Sequence, residues 1–582
     1  MKPSNTGARV LLDELVRLGV REIVLCPGSR SAPLAYAAHD LDAVGRARLH
    51  VRVDERSAAF LALGLSKETR RPAAVVTTSG TAVANLHPAV LEAHHAGVPL
   101  LLLTADRPPE LRGVGANQAT DQPGLFGRHV RLALELETPA DPQRQAPVWR
   151  TAAARAVAAA TGALAGPGLA GPVHLDLPYR DPLAPDLSAG RGDDERLSAR
   201  EYLDPEGGVA GRPGGAPWVS LPEPSGPAGE APPVDHDPDT LVVIGELPTP
   251  AHRADALGWA RRHGAPVIAE PGPGTHDLVL PHGAQVLVAT DWVEEHLPGR
   301  LLVVGRPTLG RSVPALARRP GVHVEVVTPG EPGAAGWADA THTAVAVHPF
   351  AALRGDGPDH EPTPFARAWL EAGRRVADAL ATTSEVLDGP AVARALHETM
   401  PADSALLLGS SSVARDVHLG VARPRPDIDP VTCRGLAGID GAVSTAVGLA
   451  LARGDRPTYA LLGDLTFLHD ANGLLIGPDE PHPDLTLVVV DDDGGSIFDT
   501  LEYGARELAG PKRRIFTTPT GTDIETLCAA HGIPATTART AAEVAELVVR
   551  PAAGIRVVRV PVDGSRRAAG ERTRAVVAGA LA

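Results

Sequence analysis

The chain has 582 residues, of which 43% are hydrophobic and only 3% aromatic, and its formal net charge is −15. At roughly 150 residues per domain, this length predicts three or four domains. The negative charge argues against a nucleic-acid-binding protein, because such a surface needs a basic face.

The first twenty residues, MKPSNTGARVLLDELVRLGV, form an amphipathic pattern without the apolar core of a signal peptide. The run VPLLLLTA is too short to cross a bilayer. Three cysteines, Cys26, Cys433 and Cys528, lie far apart and lack metal-ligand spacing, which favours a reducing compartment. We therefore expect a cytoplasmic protein.

The first section, residues 1–186, alternates between helical and strand patterns. LLDELVRLGV and SGTAVANLHPAVLEAHHAG predict helices, and EIVLC, AAVVTT, VPLLLLTA and GPVHLDLP predict buried strands. Such an order predicts a parallel sheet covered by helices on both faces. Within it, VRVDERSAAFLALGLSK changes from a strand pattern to a small-residue helix, and the acidic pair Asp54 and Glu55 lies at the joint.

The second section, residues 187–362, begins with a stretch rich in Gly and Pro, which we interpret as a linker or as a segment that wraps the surface. Residues 205–235 of it have the character of an insertion. TLVVIGE, APVIAE, RLLVVGR and HVEVVTP then predict the short strands of a smaller Rossmann-like domain.

The third section, residues 363–582, opens with a predicted connecting helix. Its segment GPAVARALHETMPADSALLLGSSS repeats the order of helix, strand and Gly-Ser turn found in GARVLLDELVRLGVREIVLCPGSR. This repeat predicts two domains of related topology on either side of the second section. Ligands of such sheets bind at the carboxyl ends of the strands, where these turns lie.

The strongest local signal is LLGDLTFLHDANGLLI followed by DLTLVVVDDDGGSIF. Asp464 and Asp492 each follow a predicted strand, and a crossover connection would bring both to one sheet edge. Carboxylate oxygens, a backbone carbonyl and a diphosphate would complete an octahedral Mg²⁺ site. Any of Asp491, Asp492 and Asp493 could be the second ligand; we favour Asp492, with the carbonyl of Gly494.

Several motifs together resemble one family. CPGSRSAPL, DERSAAFLALGLSK, TSGTAVANLHPAVLEA, LTADRPPELRGVGANQ, GPVHLDLP, GSSSVARD and RGLAGIDGAVSTAVGLA occur in this order before the metal stretch. They are similar to the MenD family, the thiamine diphosphate-dependent 2-succinyl-5-enolpyruvyl-6-hydroxy-3-cyclohexene-1-carboxylate synthases. The resemblance covers the first and third sections nearly end to end, and only VVGRPTLGRSV in the second.

The resemblance implies an α/β fold of three doubly wound parallel-sheet domains: a pyrimidine-binding domain at 1–186, a linker and central domain at 187–362, and a diphosphate-binding domain at 363–582. It implies thiamine diphosphate and Mg²⁺ or Mn²⁺ as cofactors. Glu55 would hydrogen-bond N1′ of the aminopyrimidine and promote proton loss from thiazolium C2, and Asp54 would be a cap or ion-pair partner. The residues implied to bind the cofactor are Glu55, Ser79, Gly80, Ser410, Ser411, Ile439, Gly463, Asp464, Leu465, Asp492 and Gly494, and the metal ligands are Asp464, Asp492 and Gly494.

The family decarboxylates 2-oxoglutarate and adds the resulting succinyl carbanion equivalent to isochorismate. Both substrates are dianions, and arginine binds carboxylates through two parallel hydrogen bonds. By resemblance, Ser29, Arg30, Arg107, Asn117 and Gln118 would hold isochorismate. Arg415 and Arg434, with Ser411, would take the carboxylates of the 2-oxoglutarate-derived intermediate, and Ile497, Phe498 and Leu501 would form the wall of the substrate pocket. Arg311 is a further substrate-binding arginine implied by the resemblance.

Two departures from the family pattern stand out. The acids 491–493 replace Asn-rich residues, and Gly310 stands before Arg311 where some relatives have Lys. The alternatives are another thiamine diphosphate carboligase or decarboxylase, a catalytically silent protein of the same fold, and a nucleotide-binding protein, although the middle section has no GxGxxG after a strand. The resemblance also implies a homodimer or a dimer of dimers with active sites between subunits.

Overall fold

The structure, a computed structural model, describes residues 2–164, 169–185, 209–222, 231–328, 337–382, 386–562 and 566–582. These residues form three sheets in which every pairing between named strands is parallel. Helices join the strands, so the predicted α/β class is confirmed. The strands are β1 Glu22–Leu25, β2 Arg48–Val51, β3 Ala73–Thr77, β4 Leu100–Asp106, β5 Leu132–Glu135, β6 Pro172–Pro178, β7 Thr240–Ile244, β8 Val267–Ala269, β9 Arg300–Val304, β10 His323–Thr328, β11 Ala344–Pro349, β12 Ser404–Leu408, β13 Ile428–Thr432, β14 Thr458–Gly463, β15 Leu485–Asp491, β16 Ala535–Thr537 and β17 Ile555–Pro561.

The α-helices of the described residues, in chain order, are α1 Pro3–Arg17, α2 Ala32–Ala43, α3 Glu55–Thr69, α4 Thr81–Ala84, α5 His87–Ala96, α6 Pro142–Thr161, α7 Pro250–Arg262, α8 Gly283–Val286, α9 Thr290–Glu295, α10 Ser312–Ala317, α11 Pro364–Ala381, α12 Gly389–Thr399, α13 Ser412–Gly420, α14 Ala442–Arg453, α15 Asp464–His469, α16 Ala509–Lys512, α17 Ile524–Ala530, α18 Ala541–Val549 and α19 Arg566–Leu581. None of them is both long enough and apolar enough to cross a membrane.

The strand orders of the first and third sheets are the same. The first sheet runs β2-β1-β3-β4-β6-β5 and the third β13-β12-β14-β15-β17-β16, while the five-stranded second sheet runs β11-β10-β9-β7-β8. Counted from the first strand of each, both six-stranded sheets have the order 2-1-3-4-6-5, as the repeated helix–strand–turn pattern predicts. The three sheets lie within 22–178, 240–349 and 404–561; the exact domain boundaries stay a prediction.

The chain forms two compact units. The first comprises Met1–Gly226, Val443–Arg453 and Asp470–His482, and the second comprises Pro227–Ala442, Gly454–His469 and Pro483–Ala582. Strands β3 and β4 of the first sheet are buried along their whole length, since a parallel sheet covered on both faces hides both sets of side chains.

One predicted helix is broken in two. The pattern from Ser79 to Gly97 predicts one helix, but α4 ends at Ala84 and α5 begins at His87. The reason is Pro88, which has no N–H and whose ring would clash with the carbonyl of Ala84 in a continuous helix.

Part of the Gly/Pro-rich stretch packs on the first unit. Val209 is buried and its carbonyl accepts a hydrogen bond from Arg150 at 3.1 Å, and Arg17 on α1 donates to the carbonyl of Arg212 at 2.8 Å. Residues 209–222 therefore wrap the surface of α1 and α6. The remainder of 186–230 lies outside the described residues.

Helices α3 and α14 cross with their backbones in close approach. A Cβ atom on Gly64 would lie 2.2 Å from the carbonyl oxygen of Thr445, and one on Gly448 would lie 2.1 Å from that of Leu61. No side chain can move aside to relieve such contacts, because the opposing atoms belong to the backbone. This crossing fixes α3, and with it Glu55 at the start of the helix.

We predict that Gly64→Ala and Gly448→Ala each destabilise the chain by about 1–3 kcal/mol or more, the usual cost of overpacking a tight contact. Urea or thermal unfolding measures the effect. Gly579→Ala on α19 is the matched control, since a Cβ there meets nothing within 4 Å. Equal stability of all three variants would contradict the proposed role of the crossing.

Candidate functional site

Glu55 is the first residue of α3, directly after the end of the short connection from β2. Asp54 is the N-cap, whose side chain accepts hydrogen bonds from the backbone N–H groups of Arg56 and Ser57 at 2.9 and 3.2 Å. The expectation that Asp54 is a cap is therefore confirmed. Glu55 is half-buried, and its Oε2 accepts a hydrogen bond from Asn85 at 3.1 Å.

The start of α3 is also tied to residues that follow α15 in the chain. Asn472 donates to the second carboxylate oxygen of Asp54 at 2.9 Å, and Ser57 donates to Asp470 at 3.3 Å. Asp470 is buried and accepts the backbone N–H of Ser444, the third residue of α14, at 2.7 Å. Burial raises the pKa of Asp470 to about 6. These contacts hold the position and direction of the helix start.

The turn after β3 joins three of the predicted residues. Ser79 accepts a hydrogen bond from the Arg107 guanidinium and donates to the carbonyl of Gln118, and the Gln118 amide returns a bond to the carbonyl of Ser79. Gly80 has φ of 85°, and a Cβ there would lie 3.0 Å from the Gln118 side chain. Glycine is favoured on both counts.

Two arginines of the first unit lie near each other. Burial and then the charge of Arg30 lower the pKa of Arg107, whereas Asp106 and Asp181 raise it. Arg30 donates to the carbonyl of Tyr179 at 2.9 Å. Like charges kept together in this way form a site for an anion. Ser29 and Asn117 are exposed, and no contact joins them to this pair among the described residues.

The predicted metal turn in the second unit brings Asp464 and Asp492 together. Asp464, the first residue of α15, accepts the backbone N–H of Leu465 and that of Gly494, both at 2.7 Å. Burial, and then the charge of Asp492, raise the pKa of Asp464 to about 7. Gly494 has φ of 124°, and a Cβ on it would strike the carbonyl oxygen of Thr517 at 2.1 Å. Two buried carboxylates beside a turn open only to glycine fit a divalent cation.

The structure separates the three neighbouring acids. Asp491 pairs with Arg559 at 2.6 Å, and the exposed Asp493 lies 3.9 Å from Arg513. Asp492 is the acid whose charge most strongly affects Asp464.

Sequence reasoning missed Arg566, which begins α19. Its guanidinium pairs with both oxygens of Asp416 on α13, at 2.6 and 3.0 Å, and its Nε lies 3.3 Å from Asp492 and 2.6 Å from Ser496. Asp416 is buried, and burial raises its pKa. No local pattern identifies this contact, because the partners are 74 and 150 residues away in the chain.

A second arginine pair lies in this unit. Arg415 on α13 and Arg434 after β13 are close enough that, after burial, the charge of Arg434 is the main effect lowering the pKa of Arg415. Arg415 donates to the carbonyl of Ser411 at 2.6 Å. Ser411 has φ of 70°, a left-handed conformation that a serine rarely adopts and that is often found at functional sites. Ser410 is buried and donates to the carbonyl of Cys433 at 3.1 Å.

Residues of the middle section hold Arg434 in position through hydrogen bonds. Thr308 accepts a hydrogen bond from Arg434 Nε at 3.0 Å, and Glu270 accepts the backbone N–H groups of Thr308 and Leu309, each at 2.6 Å. Arg306 donates to the carbonyl of Arg434 at 3.0 Å. The motif VVGRPTLGRSV thus contributes through Arg306 and Thr308, neither of which the sequence reasoning named.

The structure does not bring Arg311 to this pair: its side chain is 76% exposed and lies 3.5 Å from Glu502. The predicted apolar residues Ile439, Ile497, Phe498 and Leu501 are half-buried, and Leu465 is too. The rings of Phe498 and Phe516 pack together, with 5.1 Å between their centroids.

The comparisons agree with this arrangement. The family models "Thiamine pyrophosphate enzyme, N-terminal TPP binding domain" and "Thiamine pyrophosphate enzyme, C-terminal TPP binding domain" match residues 5–125 and 408–560. The chain is 44% identical to 2-succinyl-5-enolpyruvyl-6-hydroxy-3-cyclohexene-1-carboxylate synthase of Saccharopolyspora erythraea and 46% identical to that of Kineococcus radiotolerans, with 100% of each chain covered. Benzoylformate decarboxylase from Polynucleobacter necessarius is similar in fold, with a TM-score of 0.65, 21% identity and 97% and 99% of the two chains covered.

We predict that Arg566→Met destabilises the chain by about 3–5 kcal/mol, because it leaves the buried Asp416 carboxylate without its partner. Adding Asp416→Asn should recover part of that loss in unfolding experiments. Arg567→Met is the matched control, since the exposed Arg567 bonds only to the carbonyls of Asp499 and Leu501 in the described chain. Equal loss in both arginine variants would refute the assignment.

Proposed function

Because the chain belongs to the 2-succinyl-5-enolpyruvyl-6-hydroxy-3-cyclohexene-1-carboxylate synthases, within the thiamine pyrophosphate enzymes, we propose that it decarboxylates 2-oxoglutarate and adds the succinyl carbanion equivalent to isochorismate in a 1,4-addition. The observation that carries the proposal is the presence of two arginine pairs, Arg30 with Arg107 and Arg415 with Arg434. Each pair suits one dianionic substrate.

Thiamine diphosphate, when bound, would supply the electron sink that accepts the electron pair released when a 2-oxo acid loses carbon dioxide. Glu55 would hold a proton at N1′ of the pyrimidine. The direction of the Glu55 side chain is set by α3. The N-cap Asp54 and the α3–α14 crossing keep this helix in place. Ser79 and Gly80 lie on the turn after β3, and Ser410 and Ser411 on the turn after β12; both turns lie at carboxyl ends of strands.

The arginine pairs would orient the substrates rather than exchange protons. Arg107 donates to Ser79 and Arg434 donates to Thr308, so the position of each guanidinium is restrained. A carboxylate bound to a fixed guanidinium is itself fixed in orientation. Placing the acceptor double bond against the attacking carbon in this way can supply several kcal/mol of the barrier reduction.

We further infer that Mg²⁺ or Mn²⁺ is held by Asp464, Asp492 and the Gly494 carbonyl. Support comes from the effect of the Asp492 charge on Asp464 and from the turn at Gly494, where a Cβ would strike the carbonyl oxygen of Thr517. By family membership we also infer a homodimer or a dimer of dimers, in which Glu55 of one copy and Asp464 of another serve one cofactor.

The second candidate is another 2-oxo acid carboligase or decarboxylase. Pyruvate carries one carboxylate and needs fewer cations than 2-oxoglutarate, so the Arg415–Arg434 pair favours the dicarboxylate donor.

The decisive experiment incubates the protein with 2-oxoglutarate, isochorismate, thiamine diphosphate and Mg²⁺ and follows isochorismate loss. We predict turnover with 2-oxoglutarate and little with pyruvate.

Glu55→Gln should still bind the cofactor, measured by quenching of tryptophan fluorescence, but should lose about 10²-fold or more in turnover, because an amide cannot take up the proton.

Glu137→Gln is the control for this experiment, since Glu137 is an exposed carboxylate that pairs with Arg144 at the surface. Near-normal turnover by Glu55→Gln would overturn the role of Glu55. Preference for pyruvate in the unaltered protein would support the second candidate.

For the metal, we predict that Asp492→Ala weakens Mn²⁺ binding about tenfold or more, whereas Asp493→Ala leaves it unchanged, because Asp493 is exposed and faces Arg513. Electron paramagnetic resonance of Mn²⁺ titrated into the protein with thiamine diphosphate measures binding without turnover. The reverse order of the two variants would assign the ligand to Asp493.

A further inference from the structure

Two buried carboxylic acids lie beneath the turn that carries Ser79 and Gly80. Asp106 ends β4 and Asp176 lies on β6, the adjacent strand, where it pairs in register with Thr104. Both side chains are essentially inaccessible, at 0% and 1% exposure. Neither belongs to the residues assigned above to cofactor, metal or substrate.

The cations around this acid pair do not balance its charge. Arg112 Nη2 lies 2.8 Å from Asp106 Oδ2 and 3.3 Å from Asp176 Oδ2, but its Nη1 also pairs with Glu135 at 2.5 Å. Three carboxylates thus share one guanidinium. Arg107 faces the site through its backbone and charge, and its side chain is directed to Ser79.

The remaining neighbour is His174, which reaches the pair through Thr104. Thr104 Oγ1 lies 2.8 Å from His174 Nε2 and 3.3 Å from Asp176 Oδ1. Burial lowers the pKa of His174 to about 4, so the imidazole is neutral at physiological pH. Burial, and then the charge of Asp106, raise the pKa of Asp176 to about 7.

One oxygen of the pair has an ion-pair contact with Arg112 but no well-aligned hydrogen bond. Asp106 Oδ2 is buried and has no hydrogen bond of proper geometry to any described residue. A proton held between the two carboxyl groups would satisfy it, in the manner of two acids that share a site.

The other oxygens support the functional turn. Asp106 Oδ1 accepts the backbone N–H of Arg107 at 2.7 Å. Asp176 Oδ1 accepts the Gln122 amide at 2.9 Å, and the Gln122 carbonyl oxygen accepts the backbone N–H of Gly80 at 2.9 Å. The chain of contacts therefore runs from the acid pair to Gly80 on one side and to Arg107 on the other.

We propose that Asp106 and Asp176 share a single proton and act as positioning residues, which hold the Gly80 turn through Gln122 and the backbone of Arg107 directly. Loss of that proton would place two carboxylates against each other and shift both supports. The effect on turnover rests on the proposed function; the shared proton itself does not.

The test compares wild type with Asp176→Asn, which imitates the protonated acid, and Asp176→Ala, which removes the contact to Gln122. Isochorismate KM is measured from about pH 6 to about pH 8, around the value near 7 for Asp176. In wild type, the KM for isochorismate should rise roughly five- to tenfold over this pH range, which corresponds to the loss of about one hydrogen bond. Asp176→Asn should stay flat and low, and Asp176→Ala flat and high.

A structural role alone would make both variants worse without altering the pH profile, so a wild-type profile in Asp176→Asn overturns the proposal. Asp255→Asn, at a partly exposed ion pair with Arg354, is the control and should keep the wild-type profile.

Infrared difference spectroscopy tests the proton without substrate. The wild-type spectrum should contain a protonated carboxylic acid band that disappears between about pH 6 and about pH 8 and is lost in the difference between wild type and Asp176→Asn, whereas the bands of Asp464, Asp470 and Glu270 remain in both proteins. If isochorismate is not turned over but this band is present, the acid pair stands and the proposed function fails. If the band is absent from wild type at the lower pH, the shared proton is refuted.

The pH dependence of stability independently tests the direction of the pKa shift of Asp176. Because the pKa of Asp176 is 3.8 in the unfolded chain and about 7 in the folded chain, the folded chain keeps a proton that the unfolded chain releases. Asp176 therefore lowers the free energy of unfolding as pH rises between these values. Asp176→Asn should gain stability relative to wild type as pH increases, and no such relative gain would contradict the assignment.

Discussion

The close crossing of α3 and α14 is the constraint on which the rest of the first unit depends. Its glycines, Gly64 and Gly448, allow backbone to meet backbone, so the separation of the two helices is set by atoms that cannot change rotamer. The small-residue pattern after Glu55 is thereby explained: the helix must be narrow where α14 passes. Asp470 and Asn472 then hold the start of α3 by hydrogen bonds. A carboxylate at the first position of such a helix has a fixed origin and direction, which a catalytic acid needs and a surface acid does not.

The two arginine pairs are also held in position by neighbouring parts of the chain. Each guanidinium is held by a hydroxyl or carbonyl of a neighbouring turn, and in each pair the charge of one arginine lowers the pKa of the other. Burial and mutual repulsion lower the pKa of Arg107 and of Arg415. Under the proposed function, a dianion bound between such cations would relieve this repulsion. Ser79 and Thr308 are the residues that hold Arg107 and Arg434 in position.

The sequence predicted the parts of this arrangement that depend on local pattern. The spacing of Asp464 and Asp492 identified two acids that do come together, and the small residues after Glu55 identified a buried helix. The break between α4 and α5 could also have been predicted, because Pro88 is visible in the sequence. Arg566 and Gln122 could not. Their partners lie 150 and 54 residues away, and arginine or glutamine in a loop has no pattern that distinguishes a buried support from a solvated side chain.

The buried acids of this chain differ in how their charge and hydrogen-bonding groups are matched by partners. This difference distinguishes acids with a structural role from those proposed to bind a proton or a metal ion. Asp416 has a bidentate arginine, and Glu270 and Asp470 have backbone N–H donors; these acids are matched within the protein and act as supports. Among the described residues, two acid pairs are not fully matched. Asp106 and Asp176 share one arginine with a third carboxylate, Glu135, and a shared proton is proposed above to complete this pair. Asp492 also pairs with Arg566, whereas Asp464 accepts the backbone N–H groups of Leu465 and Gly494; these are the two acids proposed above to hold a divalent cation. An unmatched buried charge is costly, so it persists where something outside the chain completes it.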